Sequence, residues 1–362
     1  MKRILYYLSV ILLLFSLNIN IFSLDNSHEI WDNLTDETID YLEELGIDEI
    51  SFDDLFELNP TRVIKFILNM VTNKASNIKD SFVLIFIVLI MSSISSSFVS
   101  KSGKYNKLID YICILIVMSF IMEPIGRLMT DAASAIKNTT ILINVYLPIM
   151  TGIIFASKSP ALAVTYNSFT IFISNIIAVI SDKIFVPLIS VIFSLNLIST
   201  FSSDSLQNRL TKTIRRLITV ILSLFSTIFT GLLTTQSILA SSSDSIALKG
   251  IKFVSGTFIP IVGGGVGDAI SSVFSSFLIM KNTLGIFIIL VIIVINLPVM
   301  IELLIWYFFF GFCSIIASLM NLESITDIFD SLSSTISLLN IIVFFITFIL
   351  VISTGIIIVM GK

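Results

Sequence analysis

From residue 81 onward, long apolar runs separated by short polar breaks set the pattern of this chain. The runs fall near 81–100, 108–123, 141–157, 161–181, 184–200, 217–236, 258–280, 284–300, 303–320 and 336–360. A helix needs about 20 apolar residues to cross a bilayer. The shorter runs therefore read as kinked or re-entrant pieces, which are tolerated where protein buries the backbone. The pattern predicts an all-α, polytopic integral membrane helical bundle over 81–362, with eight to ten membrane segments. Ahead of it, Met1-Lys2-Arg3 and the apolar run 4–17 read as a secretory signal peptide with Ser23 at the cleavage point. No Ala-x-Ala stands there, so a signal anchor is the alternative reading of 1–24.

Residues 25–80 carry a different period. Trp31, Leu34, Ile39, Leu42 and Leu45 recur near helical spacing with acids between them, and Gly46 ends the run. Asn59-Pro60 breaks the chain, and 61–79 then reads as a basic amphipathic helix at the membrane interface, with Arg62, Lys65, Lys74 and Lys79 around an apolar stripe. The acidic part is either a solvated face tethered to the membrane or a docking surface for an extracytoplasmic protein.

Composition agrees with lipid as the solvent: 56% of the 362 residues are hydrophobic, 13% are charged, and mean hydropathy is +1.03. Too few charges remain to cover a water-soluble surface. Thirteen of the twenty-five acids lie in 25–60, where there is no Lys or Arg; elsewhere twenty-one cations outnumber twelve acids. An acidic stretch thus precedes a basic membrane body, a distribution that speaks against nucleic-acid binding. Lys101, Lys104 and Lys107 form one basic cluster and Arg209, Lys212, Arg215 and Arg216 another; short basic loops stay cytoplasmic. Arg209, Lys212, Arg215 and Arg216 are accordingly the candidate cytoplasmic contacts. The stretch 321–335, read as a loop, carries Glu323, Asp327 and Asp330 without a positive charge and fits this orientation poorly.

Enzymatic tools are scarce. His28 is the one histidine, Cys113 and Cys313 sit in apolar runs, and no GxxxxGK[ST] occurs. The reading is a non-enzyme with no cofactor, no metal site and no catalytic residue. Charges in or beside the apolar runs are Asp110, Glu123, Asp182, Asp268 and Glu302, and charges at membrane depth default to functional hypotheses. Most of these read more simply as segment boundaries.

Tyr146-Leu-Pro-Ile-Met-Thr-Gly152 echoes Phe258-Ile-Pro-Ile-Val-Gly-Gly264, which suggests a parallel internal repeat over about 101–200 and 212–312. Pro148, Gly152, Pro260, Gly263, Gly264, Gly265 and Gly267 are the helix-break candidates, with Asp268 placed to N-cap a helix running to Met280. The alternative use of this broken element is a re-entrant path in a secondary transporter, with Asp268 and Glu302 relaying protons.

The order of these features resembles the stage III sporulation protein AE family of endospore-forming Firmicutes. The carrying residues are the acidic Leu45-Gly-Ile-Asp48 region, the 146–152 motif, Asp244-Ser-Ile-Ala-Leu-Lys249, and Lys252 through Ala269. The resemblance implies a non-enzymatic subunit of the channel joining mother cell and forespore, in the mother-cell-derived membrane. It further implies work beside an ATPase and ring-forming products of the same stage III sporulation A operon, and with stage II sporulation protein Q.

Overall fold

The computed structural model describes residues 29–51, 54–55, 58–76, 78–98, 104–156, 176, 179–201, 209–231 and 263–359. Among these there is no strand, and the architecture is an all-α bundle. We number the helices α1 (Asp36–Leu45), α2 (Pro60–Ser76), α3 (Lys79–Phe98), α4 (Lys104–Ala156), α5 (Val186–Phe201), α6 (Arg209–Gly231), α7 (Gly263–Leu319) and α8 (Glu323–Val359); a π turn, Ser181–Phe185, leads into α5. The signal segment, Lys101 and Pro260 lie outside the described residues, as do most of the 161–181 run and the 244–262 part of the motif region.

Local chemistry sets the helix ends. Thr35 caps α1, its hydroxyl accepting from the Thr38 N–H at 3.4 Å, and Asp36 and Glu37 occupy the first turn. Gly46 closes it at φ +86°, with the Ile47 N–H donating to the Leu42 carbonyl at 2.9 Å and both side chains fully buried. Asn59 starts α2: its side-chain oxygen accepts from the Thr61 N–H at 3.0 Å, and Pro60 takes the first helical position, where its missing donor costs nothing.

The centre is the antiparallel hairpin of α7 and α8. Its turn occupies only 320–322: Asn321 is left-handed at φ 57°, and the Leu322 and Asn321 N–H groups donate to the Ala317 and Ser318 carbonyls, each at 3.0 Å. The 321–335 stretch is therefore helix from Glu323 and not a loop. Leu322, Ile325, Ile328, Phe329, Leu332, Ile336 and Leu339 form a buried stripe that its Ser and Asp content obscured. Contacts between Gly285 and Ile358, Met300 and Asn340, and Phe310 and Phe329 fix the hairpin register.

Four helices among the described residues are long and apolar enough to span a membrane, or five if the pair α2–α3, bent by 44°, counts as one. Among the described residues, some of the expected segments fuse with their neighbours into longer helices. α4 continues through 124–140, and α7 joins the 263–280 part of one run to the 284–300 and 303–320 runs in 57 residues, about 85 Å at 1.5 Å per residue. Nothing forces a break at the polar stretches, because neighbours satisfy them: Asn296 donates to Thr139 Oγ1 at 2.8 Å across α7 and α4.

α4 runs antiparallel to α7, with Thr139 beside Asn296 and Arg127 beside Glu302. α1 to α3 follow α7 in its own direction, from Trp31 stacked on Phe287 to Phe82 against Phe309 and Phe312. On the other flank α5 is antiparallel to α8, and α6 is parallel to it. The C-terminal ends of α3, α5 and α7 consequently share one end of the bundle. The acidic first turns of α8 thus sit at the same end as the 209–216 cations. Asp and Glu weigh little in setting orientation, so their presence there is no objection.

Candidate functional site

The most charged interior point is Glu302, four residues past Pro298 on α7 and 4% exposed. Lys74 Nζ, from the last turn of α2, lies 2.8 Å from its Oε2, and Arg127 Nη2, from α4, lies 3.4 Å from its Oε1. Burying a carboxylate costs several kcal/mol, which only close, well-placed cations return. Glu302 therefore holds three elements together: the end of the amphipathic helix, the polar waist of α4, and α7.

Beside this cluster is a cavity of about 180 Å³. α1 contributes Thr35, Glu37, Thr38 and Tyr41; α4 contributes Asp131, Ser134 and Asn138; Val294, Ile295, Pro298 and Val299 of α7 form the apolar wall. Pro298 cannot donate to the Val294 carbonyl. Both residues line the cavity, which has room for water to satisfy that oxygen. Tyr41 donates to Glu37 Oε1 at 2.9 Å. Burial first, and then the hydrogen bond to Glu37, push its phenol well above the ordinary tyrosine value, so it stays a donor across neutral and moderately alkaline pH. Thr35 and Thr38 share a hydroxyl contact of 2.7 Å on the same wall.

A second polar node lies across the hairpin. Asn196 Nδ2 of α5 donates to Thr335 Oγ1 of α8 at 3.0 Å, and Arg215 Nη2 of α6 reaches the same oxygen at 3.5 Å. Arg215 has no carboxylate partner among the described residues, and its buried Nε has no acceptor.

The residues singled out from sequence fall as follows. Arg209, Lys212 and Arg216 are exposed, whereas Arg215 is half-buried on Thr335. Pro148 and Gly152 do not break α4; the helix runs through both, with the Pro148 ring exposed. Gly263, Gly264, Gly265 and Gly267 form the first turns of α7. The helix begins five residues before Asp268, which is therefore inside it and not its N-cap. From sequence, Lys74 is expected at the interface and Glu302 at a boundary, with no pairing between them, and Arg127, Asp131 and Tyr41 do not stand out. The signal that could have found the pairing is the isolation of Glu302 in an apolar run, which demands a cation from elsewhere. Among the described residues no three His, Cys, Asp or Glu side chains group to hold a metal ion.

The sequence matches the family model described as stage III sporulation protein AE over residues 38–361. It is 29% identical over 198 residues to stage III sporulation protein AE of Bacillus subtilis (strain 168), covering 55% of this chain and 48% of that protein. The aligned part thus spans about half the length of that relative. No solved structure matches.

Proposed function

The chain belongs to the stage III sporulation protein AE family, and from that premise we propose that it is a non-enzymatic membrane subunit of the channel between mother cell and forespore, required for endospore formation. The observation that carries the reading is the family match across nearly the whole chain. In this reading 1–24 is the signal peptide or anchor, 25–80 faces the intermembrane space, and 81–362 is the membrane domain in the mother-cell-derived membrane around the forespore. The ring-forming subunits and stage II sporulation protein Q meet the acidic region. The ATPase meets the exposed Arg209, Lys212 and Arg216. The bound cations of Glu302 support a subunit over a carrier, since Lys74 at 2.8 Å and Arg127 at 3.4 Å make this carboxylate a tie between helices.

Co-purification from sporulating cells after mild detergent extraction tests this, with the ATPase and ring-forming subunits expected to remain bound. Reversing Arg209, Lys212 and Arg216 to Glu is expected to release the ATPase and lower spore yield; unchanged binding and yield would remove that contact. Glu302→Gln separates the carrier reading, because a carrier loses transport with the carboxylate while a folded packing subunit still supports sporulation.

A further inference from the structure

Two opposite flanks of the hairpin offer incompatible solvents at one height. The cavity wall Val294–Ile295–Pro298–Val299 carries α1, whose Asp36, Glu37, Asp40, Glu43 and Glu44 are exposed. α8 pairs with α7 through Gly355 against Ile289 and Asn340 against Met300. Phe345, Ile346 and Ile349 therefore stand level with that wall. On their side they share a small void with Leu222 and Phe225 of α6. At this level α6 exposes Leu217, Val220, Leu224 and Ile228, each 47–59% open and all on one stripe. Only 11% of the apolar window of α6 is covered, so among the described residues no protein packs on its outward face.

A bilayer is a slab, and at any one depth it is lipid all round unless protein walls off water. Five carboxylates cannot lie in hydrocarbon, and the α6 stripe is not built for water. We infer that several copies of this chain close around a water-filled space that opens to the side faced by residues 25–80, with the acidic face of α1 turned inward and the α6 stripe turned to lipid. Copies, and not a different protein, are the occupant because the matching charge is carried by the chain itself. Lys65 of α2 and Lys137 of α4 are exposed beside the acids, where the next copy's α1 can meet them. A closed ring also gives every chain the same surroundings and leaves no unmatched edge. The inference rests on geometry and stands whether or not the sporulation role does.

The test uses the full chain with Cys113→Ser and Cys313→Ser, both native thiols being buried. Asp40→Cys, Val220→Cys and, as a second lipid-side probe, Leu224→Cys are made singly and assayed in membranes opened on both sides. Asp40→Cys is expected to react with a charged maleimide at least tenfold faster than Val220→Cys or Leu224→Cys, and the latter two to take up a lipid-phase diazirine. The unlabelled protein in lipid nanodiscs is expected to weigh an integer multiple, two or more, of the 40.2 kDa chain or its signal-cleaved form. A single-copy mass, an assembly completed by another protein, an unreactive Asp40→Cys, or lipid-side positions as reactive as residue 40 would each overturn it. Loss of sporulation with the oligomer intact would count against the proposed function only.

Discussion

The two flanks of the α7–α8 hairpin solve the problem of a buried polar group in opposite ways. On the α2–α4 flank a carboxylate at 4% exposure meets two cations, one at 2.8 Å. On the α5–α6 flank a half-buried guanidinium meets only a threonine hydroxyl at 3.5 Å, and its Nε meets nothing among the described residues. The first arrangement is expensive to break, because the buried Glu302 carboxylate is stranded without its cations. The second has little to lose. The acidic N-terminal region is consequently part of the folded body, pinned by charge and by Trp31 on Phe287, whereas α6 meets it through the apolar cluster around Leu222 and Phe225 and through Arg215.

The largest effect expected from this contrast is that of Lys74→Met. It leaves Glu302 buried with only the longer Arg127 contact and should destabilise by about 2–3 kcal/mol, seen as a lower melting temperature in detergent. Arg127→Met should cost about 1 kcal/mol or less, since that side chain is 55% exposed and its contact is 3.4 Å. Adding Glu302→Gln to Lys74→Met should recover most of the loss. An additive double mutant would mean that the pair does not pin the flank.

Gly46→Ala should come next, at about 1–2 kcal/mol, because Ala resists the left-handed backbone there. The new Cβ would also collide with Arg62 Nη1, so the guanidinium must move from its place over the α1 C-terminus. Protease cleavage between α1 and α2 should speed up while the hairpin core stays protected. A variant cleaved no faster than the parent would show that α1 is held independently of this corner.

Local signals were legible in the sequence and distant ones were not. Gly46 and Asn59-Pro60 announced helix ends because a left-handed stop and a proline start are properties of the residues themselves. Pro148 carried the same kind of signal and misled, since an exposed ring in a long packed helix leaves the fold little reason to break there. The fusion of apolar runs could not be read, because whether 124–140 stays helical depends on Asn296 and Glu302 being across from it. Nor could the candidate site. Lys74 and Glu302 are separated by most of the chain, and only the parallel course of α1–α3 along α7 brings them together.

The smallest expected effect is the most discriminating. Arg215→Met keeps the apolar stem that packs beside Thr335 and removes a guanidinium whose desolvation no carboxylate returns. The lost hydrogen bond is long at 3.5 Å and contributes little. Stability should change by less than about 1 kcal/mol, in either direction. Arg216→Met, at an exposed position, should behave the same way, so the pair isolates burial as the variable. A fall for Arg215→Met as large as for Lys74→Met would place an anion against this arginine in the folded protein. The two flanks would then be alike in being pinned by charge, and α6 would be as firmly part of the body as α2.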